Sequence, residues 1–178
     1  VNWFQGPAPL GFESSLLPEP IRTELTDPML SESFVNTYYF ETDFTFSGNP
    51  ADFVDLQLRY LIDDGAVFYL NGVELTRHNM PGSVGSSVLA EDAALATIDN
   101  ATFSSATNVA NELVNGTNRL SVEVHQPGTT SSDIVMAVEL TAREENGQAV
   151  AVAGYHEINE EWFELYNRNA AQSVDLTG

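Results

Sequence analysis

The chain has 178 residues, 43% of them hydrophobic, and a formal net charge of −20 at pH 7. Its basic residues are six arginines with no lysine, a field that repels phosphate backbones, argues against nucleic acid as a partner and disfavours anionic membrane surfaces. Cysteine is absent too, which rules out disulfides, zinc–thiolate sites and thiol nucleophiles, while the missing lysine rules out P-loop and Schiff-base chemistry.

Residues 1–29 are rich in proline and glycine and read as an irregular lead-in, with Trp3, Phe4, Leu10 and Phe12 as apolar anchors. Thr37–Phe46 alternates: Tyr38, Phe40, Phe44 and Phe46 fall on one face and Tyr39, Glu41 and Asp43 on the other, the pattern of a half-buried strand. Ser47-Gly48-Asn49-Pro50 breaks it, and Phe53–Ile62 alternates again. Asp63-Asp64-Gly65 predicts a turn whose glycine takes positive φ. Ala66–Leu70 and Val73–Arg77 flank Asn71-Gly72, a strong local signal for a two-residue hairpin.

Ser87–Thr97 fits either a short capped helix or coil, and 103–113 fits a strand end with one helical turn. Arg119–Gln126 is a strand with Leu120, Val122 and Val124 inward and Arg119, Ser121, Glu123 and His125 outward. Ile134–Ala142 is another, with Ile134, Met136, Val138 and Leu140 on one face, and 144–147 is turn-rich. Short strands between turn signals, without a long helix, predict an all-β antiparallel sandwich of jelly-roll type. No apolar run is long enough to cross a bilayer, and no basic-then-apolar leader opens the chain.

The chemistry-bearing residues are sparse. H-E-x-x-H and G-x-S-x-G are absent, and His78, His125 and His156 are too scattered to suggest a ligand set. His125, Ser131 and Asp133 can be drawn as a nucleophile triad, but nothing in their spacing favours it over a polar loop. Asp63 and Asp64 read as a carboxylate pair, a calcium edge or simple turn chemistry, with the turn favoured. Arg77, His78 and Asn79 at the hairpin end, His125 with Gln126 at a strand end, and Tyr69 and Tyr39 on outer faces have the donors and rings that a sugar site uses. The structural alternatives are that Arg77 pairs with a carboxylate, that His125 sits on the outer face beside Glu123 or hydrogen-bonds a loop, and that the tyrosines are cross-strand partners.

The stretches LIDDGAVFYLNGVELTRHNMP (61–81) and LVNGTNRLSVEVHQPGTTSSDIVMAVEL (113–140), with WFQGPAPLGF and TYYFETDFTF before them, resemble galactose-binding-like jelly-roll modules of large secreted bacterial proteins. The end, YHEINEEWFELYNRNAAQSVDLTG (155–178), resembles the start of a lamin-tail domain, cut short. The two resemblances divide the chain into a sandwich at 1–143 and a linker with a truncated β segment at 144–178. They imply a secreted or cell-surface bacterial location, and as partners carbohydrate or neighbouring domains of the same polypeptide. They imply no catalytic residue and no organic cofactor, and a structural calcium that such modules often carry. The functional expectation is a non-catalytic, carbohydrate-binding accessory module; the alternatives are a structural or adhesive spacer, or an accessory domain of a parent hydrolase.

Overall fold

The structure, a computed structural model, describes residues 3–29, 34–108, 110–154 and 162–166. Twelve strands are present among them: β1 (Trp3–Pro7), β2 (Leu10–Phe12), β3 (Thr23–Glu24), β4 (Thr37–Phe46), β5 (Phe53–Asp63), β6 (Gly65–Leu70), β7 (Val73–His78), β8 (Ser104–Asn108), β9 (Gly116–His125), β10 (Ile134–Glu144), β11 (Ala149–Gly154) and β12 (Trp162–Tyr166). They form two sheets, β1-β12-β4-β9-β6-β7 and β3-β2-β10-β5-β8, with β11 pairing the second half of β10. The pairs are antiparallel except β2 with β3. The expected all-β sandwich is the observed architecture. No helix among the described residues is long and apolar enough to cross a membrane.

Alternation explains which faces meet. Tyr38, Phe40, Phe44 and Phe46 of β4, Leu120, Val122 and Val124 of β9, and Phe68 and Leu70 of β6 share one core with Leu56, Leu58, Met136, Val138 and Leu140 of the second sheet. Phe40 and Phe68 are fully buried, and each side chain stabilises the fold by about 1.5–3 kcal/mol through area removed from water. Asn71 and Gly72 have φ of 53° and 83°, the paired left-handed geometry that turns β6 into β7 with matching twist.

Two expectations are corrected, and the outward placing of His125 holds with an added cover. The N-terminal 29 residues are not a mere lead-in: β1 and β2 are short, yet β1 pairs with β12 and β2 with β10, so each sheet contains part of them. Gly65 does not sit in a positive-φ turn. It opens β6, where a Cβ would lie 2.8 Å from Met80 Sδ and 2.9 Å from Ala94 Cβ, so close packing is what requires a glycine. His125 has the parity of the outer face but is completely buried, because the segment 79–101 folds over that end of the first sheet.

This covering segment is coil and turns rather than helix. Val67, Met80 and Ala94 make a small second core there, with Tyr69 and Val88 against it. Downstream, β11 and β12 lie in the segment set apart at 144–178, and both join the sheets of the preceding residues. Glu161, Asn167 and 174–178, which carry much of the lamin-tail resemblance, lie outside the described residues.

Candidate functional sites: a tyrosine-flanked sheet face and a buried carboxylate cluster

Most of the polar residues singled out in the sequence hold the covering segment in place. Asn79, at φ 51°, donates from Nδ2 to the Asp64 and Ala96 carbonyls at 3.1 and 2.6 Å. His125 Nδ1 donates to the Asp92 carbonyl at 2.8 Å and lies 3.0 Å from Thr37 Oγ1, while its Nε2 is 3.4 Å from Glu123. Gln126, also fully buried, donates from Nε2 to the Asp133 carbonyl at 2.8 Å. Asn36 and Thr37 add donors to the carbonyls of Ala90 and Asp92. Coil is stable here because side chains supply the bonds that a sheet ladder would otherwise give.

Arg77 clamps the next turn. Its Nε and Nη2 donate to the two Glu74 oxygens, each at 2.7 Å, and Nη1 and Nη2 reach the Pro81 and Ser86 carbonyls at 2.5 and 2.9 Å. Burial raises the Glu74 carboxyl, but the bonds from Arg77 and the Gly85 amide outweigh it and hold the group below its ordinary range. His78 lies 3.4 Å from the Tyr60 hydroxyl through Nδ1, and burial lowers its imidazole. The carboxylate-pairing alternative for Arg77 is therefore the observed one.

Tyr69 and Tyr39 are sequence candidates that reach an open concavity. A depression of about 150 Å³ on the outer face of the first sheet is lined by Tyr39, Glu41, Tyr69, Ser121 and Glu123, with Phe40 and Val122 between them on the strands. The register builds it: Tyr39 pairs Glu123, and Ser121 pairs Glu41 on one side and Tyr69 on the other. Tyr39 and Tyr69 stand on either side of β9, two strand spacings across and two residues along, about 12 Å apart. Tyr69 donates its hydroxyl to Glu123 Oε1. Burial, then that carboxylate, raises its phenol above the usual value and keeps it a neutral donor. Arg119 sits 3.2 Å from Glu41 and donates to Asp43 at 2.7 Å, so it neutralises part of the face. The outward parity of Tyr39, Glu41, Ser121 and Glu123 is legible in the sequence; their gathering depends on the pairing of β4, β9 and β6.

A second cluster lies at one end of the other sheet. Asp63 ends β5, Glu13 follows β2 and Asp133 precedes β10. These strands are neighbours, with Ile134 opposite Phe12 and Val135 opposite Asp63, so the three carboxylates converge. One oxygen from each lies within 4.8 Å of the others. Asp63 is fully buried, no N–H or O–H donor among the described residues reaches its oxygens, and the Asp64 carboxyl is its hydrogen-bonding neighbour when one of the two is protonated. Glu13 Oε2 and Gln126 Oε1 are buried without partners as well. Burial first, then the Asp64, Asp133 and Glu13 charges, push the Asp63 carboxyl up to about 9; burial and Glu13 raise Asp133. Asp64 is more fully satisfied, accepting the Ile98 amide at 2.6 Å on Oδ1.

Ser131 Oγ lies 3.4 Å from Asp64 Oδ2 and 3.5 Å from Asp133 Oδ1, whereas His125 turns its Nδ1 to Thr37 and Asp92. The partners of Ser131 are carboxylates, not an imidazole, which is not the arrangement of a nucleophile triad.

No protein-family model and no curated protein matches the chain. Among solved structures, it is similar to part of an α-L-rhamnosidase from Dictyoglumus thermophilum (10% identity, TM-score 0.45), covering 74% of this chain and 14% of the other. It is similar also to part of the Streptomyces avermitilis α-L-rhamnosidase complexed with L-rhamnose (15% identity, TM-score 0.44), covering 93% of this chain and 13% of that one. A β-glucuronidase from an uncultured Clostridium sp. matches at 14% identity and a TM-score of 0.37, over 86% of this chain and 37% of its own. The chain thus spans about one seventh of the rhamnosidase chains.

Proposed function

We propose that the chain is a non-catalytic accessory module of a larger multidomain protein and binds a neutral sugar on the outer face of its first sheet. The observation that carries the reading is the depression between Tyr39 and Tyr69 with Glu41, Ser121 and Glu123 along it. Aromatic rings offer the apolar faces on which a pyranose stacks, and carboxylates and a hydroxyl accept and donate to its hydroxyl groups. The volume suits one ring, and the two carboxylates disfavour a uronic acid. The resemblance of 61–81 and 113–140 to galactose-binding-like modules supports a place on or outside a bacterial cell.

A single ring bound in a shallow site has an affinity in about the millimolar range. Titration of the ¹⁵N-labelled chain with neutral hexoses up to ~50 mM, roughly tenfold above such a Kd, is expected to shift the amides of 39–41, 69 and 121–123 saturably. Tyr39→Ala is expected to abolish the shifts, and glucuronate to give none. Absence of saturable shifts for every neutral sugar replaces this reading with a structural spacer. The internal engagement of Arg77, Asn79, His125 and Gln126 already favours that second reading for the covered end of the sheet.

A further inference from the structure

We infer that the depression between Tyr39 and Tyr69 takes a hexosamine with a free, protonated amine in preference to a neutral hexose, and that Glu41 and Glu123 select it. The inference rests on the sugar-binding reading above and names the class of ring that the same site prefers.

Three observations carry it. First, the charge of this face is unbalanced. Glu41 and Asp43 of β4 and Glu123 of β9 share it with the guanidinium of Arg119. Asp43 holds that group most closely, accepting Nε at 2.7 Å and Nη2 at 2.9 Å, while Glu41 meets Nη1 at 3.2 Å. Glu74 and Arg77, beside Tyr69, neutralise each other. The depression therefore keeps an excess of negative charge.

Second, the two lining carboxylates are placed to share a cation. Tyr39 pairs Glu123 and Glu41 pairs Ser121, so Glu41 and Glu123 are diagonal neighbours, about 7–8 Å apart. Their side chains are 27% and 15% exposed, which screens an ion pair less than open surface does. Both are held before any ligand arrives. Glu123 Oε1 accepts the Tyr69 hydroxyl, and Oε2 lies 3.4 Å from Nε2 of the fully buried His125, an atom that makes no hydrogen bond. Glu41 Oε1 accepts the Ser121 hydroxyl at 3.3 Å. Carboxylates fixed in this way lose little side-chain freedom on pairing.

Third, the tyrosine rings suit the same ligand. Their faces attract an ammonium through the ring quadrupole as well as taking the apolar face of a pyranose. An ammonium offers three donors and no lone pair, whereas a hydroxyl brings one donor and two lone pairs toward the carboxylates. Replacing a ring hydroxyl by an ammonium thus converts a neutral contact into a charge-assisted one. N-acetylation removes that charge and two of the donors.

The test titrates the whole ¹⁵N-labelled chain at about pH 6, where an amine of this kind is protonated. The ligands are glucosamine hydrochloride, glucose and N-acetylglucosamine at equal ionic strength, with methylammonium chloride as the amine without a ring. Glucosamine is expected to shift the amides of 39–41, 69 and 121–123 with a Kd about 5–20-fold below those of the two neutral sugars. The advantage is expected to shrink as sodium chloride rises from about 20 mM to about 500 mM. Glu41→Gln and Glu123→Gln are each expected to lower the glucosamine-to-glucose affinity ratio by about 2–5-fold. Glu145→Gln removes one exposed charge just past β10, on the other sheet, and is expected to leave the ratio unchanged. If Glu123→Gln disturbs the face through Tyr69, Glu41→Gln carries the same measurement. Equal affinity for glucosamine and glucose, methylammonium binding as tightly as glucosamine, or a preference that both variants leave intact overturns the inference while sugar binding stands. No saturable shift with any of the sugars removes the sugar-binding reading and this inference with it.

Discussion

Replacing Arg77 by methionine keeps the length of the side chain but removes the guanidinium from a contact in which both side chains are only 6% exposed. Glu74 would retain the Gly85 amide at 2.7 Å and lose both Arg77 bonds, becoming a buried carboxylate without its counter-charge. Breaking such a pair from one side costs about 3–5 kcal/mol, mostly the penalty of the stranded charge. For a chain of this length about 2–4 °C accompanies each kcal/mol, so Arg77→Met is expected to lower the melting temperature by roughly 6–20 °C. The double variant Glu74→Leu/Arg77→Met removes both charges and is expected to recover most of the loss, giving a coupling of about 2–4 kcal/mol in a double-mutant cycle. The pH dependence has a definite sign. The Glu74 carboxyl is held below its unfolded value, so its contribution is present above the ordinary carboxylate range and is lost as pH falls through the lower folded value. Urea unfolding at pH 7 and at pH 3 measures both effects. A cost under about 1 kcal/mol for Arg77→Met, additive with Glu74→Leu, would falsify the view that this pair is desolvated and fastens the turn at 81–86.

Three further outcomes follow from particular contacts. Phe68 is fully buried between the sheets, and Phe68→Ala is expected to cost about 3–5 kcal/mol by urea unfolding. Asn118, 1% exposed, accepts the Val114 amide and the Asn71 side chain at 2.9 Å each and donates to the Val114 and Gly116 carbonyls at 2.8 and 3.0 Å. Asn118→Ala leaves these groups without partners and is expected to cost about 2–4 kcal/mol, with faster amide exchange at Val114. The Asp63 carboxyl, raised from 3.8 to about 9 chiefly by burial, binds its proton more tightly folded than unfolded. Its contribution is therefore complete below about pH 4 and declines as pH rises toward 9, a slope that Asp63→Asn should remove and that a parent chain with no such decline contradicts.

The local elements were legible because side-chain parity along a strand is a property of the backbone itself. Successive Cβ atoms point to opposite faces whatever the strand pairs with, so the alternation in Thr37–Phe46, Arg119–Gln126 and Ile134–Ala142 assigned the core-facing residues directly. The Asn71-Gly72 hairpin was legible for the same reason, since the two positive φ values are a demand that these residues meet locally. Tyr39 and Tyr69 were placed on outer faces by parity alone.

What parity could not supply was the identity of non-local neighbours and of whatever covers an outer face. His125 has outward parity and no exposure, because segment 79–101 lies across it. Gly65 resembles a turn glycine in sequence and is required instead by Met80 and Ala94, which arrive from that same segment. Glu13, Asp63 and Asp133 are unremarkable acids in an acidic chain until β2, β10 and β5 lie side by side with their ends in register. The sequence alone thus determined the all-β class, the strand faces and the hairpin, which follow from covalent geometry over a few residues. The tertiary structure decided the tyrosine-flanked face, the buried histidine and the carboxylate cluster, because each depends on which distant segments share the buried volume.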